Sequence, residues 1–148
     1  MRLPLLLLPC LLACSAQREA TPLSAQQELR SATQHYADLV LAMDHAGIAA
    51  LFTRDGEMVA DGQPPIQGPA AIQAHLETFK DFYVLAETLT TEEIAVAGKN
   101  GHIAGKYHQR VRTPSGSIVE VGGDYTADWV RDRAGTWRLQ RMATASKP

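Results

Sequence analysis

The apolar pattern changes period once, near Phe82, and that change limits what the chain can become. Before it, hydrophobic side chains recur every three to four residues, as on a helix with one buried stripe. After it they alternate, as on a strand with one covered face. Helices followed by strands call for an α+β domain in which three N-terminal helices pack against an antiparallel sheet. A chain of 148 residues is long enough for one such domain with its own core. The hydrophobic share of 45% argues for a globular chain, and the net charge of -2 lacks the basic excess a nucleic-acid binder uses.

The first helix opens at Leu23–Gln27, where Ser24 and Gln27 fit a reciprocal capping box. Leu29, Ala32, Tyr36, Leu39, Val40 and Met43 then form its buried stripe, and Asp44 to Gly47 ends it. Ile48, Leu51 and Phe52 give the apolar side of a brief second helix, followed by a turn at Asp55-Gly56 and a strand from Glu57 to Asp61. A third helix starts at Gly68-Pro69, with proline in the first turn where its missing N–H costs nothing. The strands that follow run Tyr83–Ala97, His102–Arg112, Ile118–Arg131 and Trp137–Thr144, with Asn100-Gly101 as the first hairpin turn.

Residues 1–13 read as a secretory leader: Met1-Arg2 is a minimal positive region and Leu3 to Leu12 an apolar run too short to span a bilayer as a helix. Leu11-Leu12-Ala13-Cys14 looks like a bacterial lipobox, so Cys14 is the expected lipidation site and residues 14–23 a tether, with the domain over 24–146. This context places the chain in a bacterial envelope, periplasmic, and attached to the outer membrane by its lipid alone. With Cys10 and Cys14 both in the leader region, the domain has no internal disulfide.

Strand alternation sorts the remaining side chains. Tyr107 and Gln109 share an inner face with Ile103, Gly105 and Val111; Tyr125 and Trp129 share one with Val121, Gly123 and Ala127; Arg141 aligns with Trp137 and Leu139. These five polar-tipped or aromatic residues are the expected ligand pocket, suited to a small, largely apolar molecule. His102, Lys106, His108, Arg110 and Arg112 lie on the opposite, solvated face. The five histidines show no metal-ligand spacing and the glycines no phosphate-cradling loop, so neither a metal nor a cofactor is expected.

Several motifs occur in a telling order: a helix, then A-L-F, D-G, a strand and P-P-I-x-G-P-x-A-I, then G-x-Y, Y-x-x-x-W-V and G-x-W-R-L. Together they resemble the SnoaL-like branch of the nuclear transport factor 2-like superfamily, which implies a cone-shaped domain with a hollow. Ketosteroid isomerase belongs to the same superfamily. There a tyrosine on the first helix donates to the substrate oxyanion and an aspartate ending the first strand moves the proton. Tyr36 matches the tyrosine, fifteen residues before Leu51. The aspartate's match is Ala60, with Asp61 one residue beyond, and the second oxyanion acid falls at Ala127. Asp61 and Tyr36 are therefore the candidate acid–base pair, with the isomerase reaction itself not expected. Three readings stand side by side: a binder of a small apolar molecule, an isomerase, cyclase or dehydratase of the SnoaL-like kind, and a module that forms a homodimer through the open sheet face.

Overall fold

A computed structural model describes residues 23–148; the leader, Cys14 and nearly all of the tether lie outside the described residues. Two helices, α1 (Ala25–Leu41) and α2 (His45–Ala50), precede β1 (Phe52–Ala60). The short β2 (Ile66–Gln67) and α3 (Pro69–Glu77) lead to β3 (Tyr83–Ala97), β4 (Asn100–Arg112), β5 (Ile118–Arg131) and β6 (Trp137–Ser146). The six strands form one curved sheet in the order β2-β1-β6-β5-β4-β3. It is antiparallel except for β1, which runs parallel to β6. The helices cover the concave face. Among the described residues no helix is long and apolar enough to cross a membrane.

The capping box is formed: Ser24 Oγ accepts from Gln27 N at 3.2 Å while Gln27 Oε1 accepts from Ser24 N at 2.8 Å. That closes the two most exposed amides of α1. The stripe of α1 buries Leu29 completely, along with Thr33 and Ala37, and Tyr36, Leu39 and Val40 pack at its edge. Thr33 is tolerated there because its hydroxyl donates back to Leu29 O at 3.0 Å.

Three local expectations are corrected. Asp55-Gly56 is not a turn but lies within β1, which begins at Phe52 and carries a register irregularity between Phe52 and Glu57. Gly56 is required by close approach, since a Cβ there would sit 2.8 Å from the Leu139 carbonyl oxygen. The β3–β4 turn is Gly98-Lys99, with Gly98 at φ +59, and Asn100 is already paired with Ala97. Gly101 serves packing instead: Leu29 of α1 rests where its side chain would be. The third correction concerns β6. Asp128 pairs with Arg141 and Trp129 with Leu139, which leaves Gln140 as a bulge. A one-residue bulge reverses every side chain beyond it. Met142 therefore turns inward and Arg141 outward.

The core is one cluster between α1, α2, α3 and the sheet, built on Leu29, Ile48, Ile72, Ile103, Tyr125, Trp129, Leu139 and Met142. The outer sheet face is not a basic surface. Each basic residue of β4 that was expected there, Arg112 apart, faces an acid, mostly from β5: His102 with Asp128, Lys106 with Asp124 and Glu92, and His108 and Arg110 with Glu120.

Candidate functional site

The helices do not fill the concave face completely. At the end of the sheet where β3 and β4 meet α2 and α3, a cavity of about 350 Å³ remains. Its walls are overwhelmingly apolar: Val40 near the end of α1 and Met43 in the turn after it, Ile48 of α2, Met58 of β1, Leu76 of α3, Phe79 and Phe82 of the following loop, and four valines of β3–β5. Only Tyr36, His45 and Gln109 bring polar atoms to the wall. The valines are in register: Val84 faces Val111, which faces Val119, so that one rung of three strands makes a continuous greasy floor. His45, itself buried, pairs with Glu77 across the α2–α3 gap at 3.4 Å.

Tyr36 and Gln109 lie in this wall, where the inner-face alternation of α1 and β4 puts them. Tyr107 does not line it. Its hydroxyl meets Ser146 Oγ at 2.8 Å, which ties β4 to the end of β6. Tyr125 and Trp129 are inward and buried in the core cluster, but further along the sheet, and neither lines this cavity. Arg141 is excluded by the Gln140 bulge and pairs on the outer face with Glu57 at 2.5 Å. Asp61 is exposed in the left-handed region at φ +49, with its carboxylate accepting from Ser146 N at 2.6 Å and Ser146 Oγ at 3.1 Å. It staples the last strand and is no part of the cavity wall. The pocket expected from Tyr107, Tyr125, Trp129 and Arg141 is thus displaced to the valine and phenylalanine end.

One residue of this region escaped the sequence reading. Glu87 of β3 stands opposite Gln109 of β4, on the inner face, next to Tyr36. Its inward direction comes from a bulge at Leu85, between the Val84 and Ala86 pairings. Six described carboxyl residues are partly buried, and five of them lie against a basic side chain: Glu28 with Arg131, Glu57 with Arg141, Asp124 with Lys106, Asp128 with His102, Asp132 with Arg138. Glu87 is the sixth, and among the described residues it has no such partner; its Oε2 is buried and unbonded. Loss of water pushes its carboxyl up to about 7, with Gln109 pulling weakly the other way. Burial, with a smaller contribution from the Glu87 charge, holds the Tyr36 hydroxyl well above the ordinary tyrosine range, so it stays a donor. Among the described residues no group of three or more His, Cys, Asp or Glu side chains is placed to hold a metal ion.

A curved mixed sheet wrapped on three helices, with an apolar hollow at one end of its concave face, defines a domain of the nuclear transport factor 2-like class. The chain belongs to the SnoaL-like domain family, whose model matches residues 21–143. Similar solved structures include a ketosteroid isomerase-like protein from Erwinia carotovora atroseptica SCRI1043, at 14% identity over 83% of this chain and 97% of that one, with a TM-score of 0.75. A nuclear transport factor 2-like superfamily protein from Salmonella enterica serovar Typhimurium aligns at 15% identity over 83% and 91%, with a TM-score of 0.70. A protein from Catenulispora acidiphila, solved in complex with S-DNPA, aligns at 14% identity over 81% and 91%, with a TM-score of 0.67. At such identities the likeness is one of fold. No curated protein matches the chain.

Proposed function

We propose that this domain binds one small, largely apolar molecule in the cavity beneath Tyr36 and Gln109. The observation that carries the proposal is the cavity itself: about 350 Å³ of space bounded by eleven apolar side chains and three polar ones. At the ~30 Å³ that one water occupies in the liquid, a volume of 350 Å³ holds on the order of a dozen non-hydrogen atoms. Burial of that much apolar ligand surface is the main source of affinity, and Tyr36 and Gln109 fix one polar end. The complex of the Catenulispora acidiphila protein with S-DNPA agrees with a domain of this shape holding a small organic molecule. The test is a thermal-shift screen of the full chain against small aromatic and alicyclic compounds. Compounds that stabilise the chain, and lose that effect when Val121→Phe narrows the cavity, are the expected result; a broad screen without any stabilisation removes the proposal.

Acid–base catalysis in the same cavity is the second reading, as an isomerase, cyclase or dehydratase. It is favoured by Glu87 and Tyr36 rather than by Asp61: a carboxyl poised near neutrality beside a protonated phenol can exchange a proton with a bound molecule. On any substrate found, Glu87→Gln is expected to abolish turnover while Asp61→Asn leaves it intact. The reverse order would refute it.

The envelope address is also part of the proposal, resting on the Leu-Leu-Ala-Cys sequence ending at Cys14. Mass spectrometry of the chain made in a bacterial host should find Cys14 acylated at the new N-terminus; an unmodified cysteine there sinks the lipid anchor. A homodimer through the outer sheet face would rest on the exposed Tyr83 and Ile118, which share a rung with Arg112. Light scattering that gives a monomer mass would end that idea.

A further inference from the structure

The cavity's polar corner is unbalanced in charge. Tyr36 approaches it from α1 and Gln109 from β4, and both line the cavity. Glu87 lies behind them on β3, in register with Gln109. Every other partly buried carboxyl residue of the described chain has a basic neighbour, and this one has none. Its Oε2 is sealed from solvent without a protein donor. Ionising such a group is unfavourable unless a cation arrives. The opposite side of the cavity supplies no cation free to do so, since His45 is engaged with Glu77.

We infer that the cavity is built for a ligand with an apolar body and a single cationic nitrogen, whose ammonium group sits at Tyr36 and Gln109 against the Glu87 carboxylate. A primary ammonium has three N–H donors and no acceptor. The cavity wall offers the Tyr36 hydroxyl oxygen and the Gln109 amide oxygen as acceptors, and the Glu87 carboxylate behind them supplies the counter-charge. The Tyr36 ring adds a face that attracts a cation. The apolar remainder of the ligand lies on the valine floor and against Phe79, Phe82 and Met58. This rests on the cavity being a binding site, as proposed above, and adds the charge of what it takes.

Ionisation of Glu87 then governs affinity. Burial holds the empty site's carboxyl at about 7, so below that pH an ammonium must first displace a proton. The groups facing Glu87 are Tyr36 from α1, neutral throughout this range, and Gln109 from β4, which does not titrate. His45 of α2 also lines the cavity and is the other titratable group to control for.

The experiment compares three probes of one shape on the full chain: phenethylamine, phenethyl alcohol and phenylacetate, by calorimetry and thermal shift. At about pH 8 the amine should bind about tenfold more tightly than the alcohol, the factor that one unit of carboxyl pKa change corresponds to. Its affinity should fall by about tenfold between about pH 8 and about pH 5, while that of the alcohol stays level. Glu87→Gln should erase both the preference and the pH dependence, whereas Asp61→Asn, whose carboxyl lies outside the cavity wall, should leave both in place. Alcohol or phenylacetate binding as tightly as the amine overturns the inference and leaves cavity binding standing. A pH dependence that survives in Glu87→Gln overturns it too. Failure of all three probes to bind overturns the inference, while the cavity proposal stands or falls by the broad screen described above.

Discussion

A glutamate that loses water on folding without gaining a cation weakens the fold as it ionises. The Glu87 carboxyl's ordinary value is 4.5 and its folded value about 7. Below about pH 4.5 it is protonated in both states and its full contribution to stability is present. That contribution is lost as pH rises through the window up to about 7, because the unfolded chain ionises first. Allowing for its partial exposure, the loss is about 1–2 kcal/mol rather than the full value the shift implies. Glu87→Gln, which keeps the shape and removes the charge, should therefore match the parent in urea denaturation at about pH 4 and exceed it by about 1–2 kcal/mol at about pH 8. A variant no more stable at the higher pH would show that Glu87 is better solvated than its surroundings indicate. The residue was hard to single out from sequence. It stands in a strand that also contains Glu92 and Glu93, and the two bulges of β3, at Leu85 and at Glu92, decide which of these glutamates turns inward.

At the scale of elements, alternation was a good guide wherever a strand kept one partner register along its length. In β4 and β5 the inward set read from sequence is the inward set observed: Ile103, Tyr107 and Val111, then Tyr125, Ala127 and Trp129 are all buried. In β6 the same reasoning failed beyond Leu139, since the Gln140 bulge depends on how two neighbours are paired and has no signature within β6 itself. The turn at Gly98-Lys99 was misplaced by two residues for a related reason: Asn100-Gly101 has the better turn chemistry, yet Gly101 is needed under Leu29. Gly105 tells the same story more strongly. It stands opposite the second β3 bulge, and any Cβ there would overlap the Thr90 carbonyl oxygen. Gly105→Ala should cost about 2–3 kcal/mol, because backbone rather than a movable side chain must yield. Ser24→Ala, which only opens the α1 capping box, should cost about 1 kcal/mol. Denaturant midpoints of the two variants side by side check the ranking; equal losses would mean the sheet bends more easily at β3 than its pairing indicates.

For the molecule as a whole, the question is why a well-packed fold leaves a hollow at one end. The sheet's curvature sets the space beneath it, and three helices cover only part of that space. Near Trp129 and Leu139 the gap is closed by large side chains from α1, α2 and the strands. Near Val84, Val111, Val119 and Val121 every strand offers a small residue, so nothing reaches across. Larger side chains at those positions would have closed the gap at no topological cost, since volume-matched filling of a core is readily tolerated. The space is therefore left open by the choice of side chains and not by the topology. Val121→Phe tests this directly. Where a site is already packed, added bulk costs about 1–3 kcal/mol. Here the extra ring enters empty space, so stability should stay at or above the parent's, while the thermal shift given by phenethyl alcohol disappears. A variant that is destabilised yet still binds the alcohol would place the ligand elsewhere and return this end of the cone to ordinary, tightly packed core.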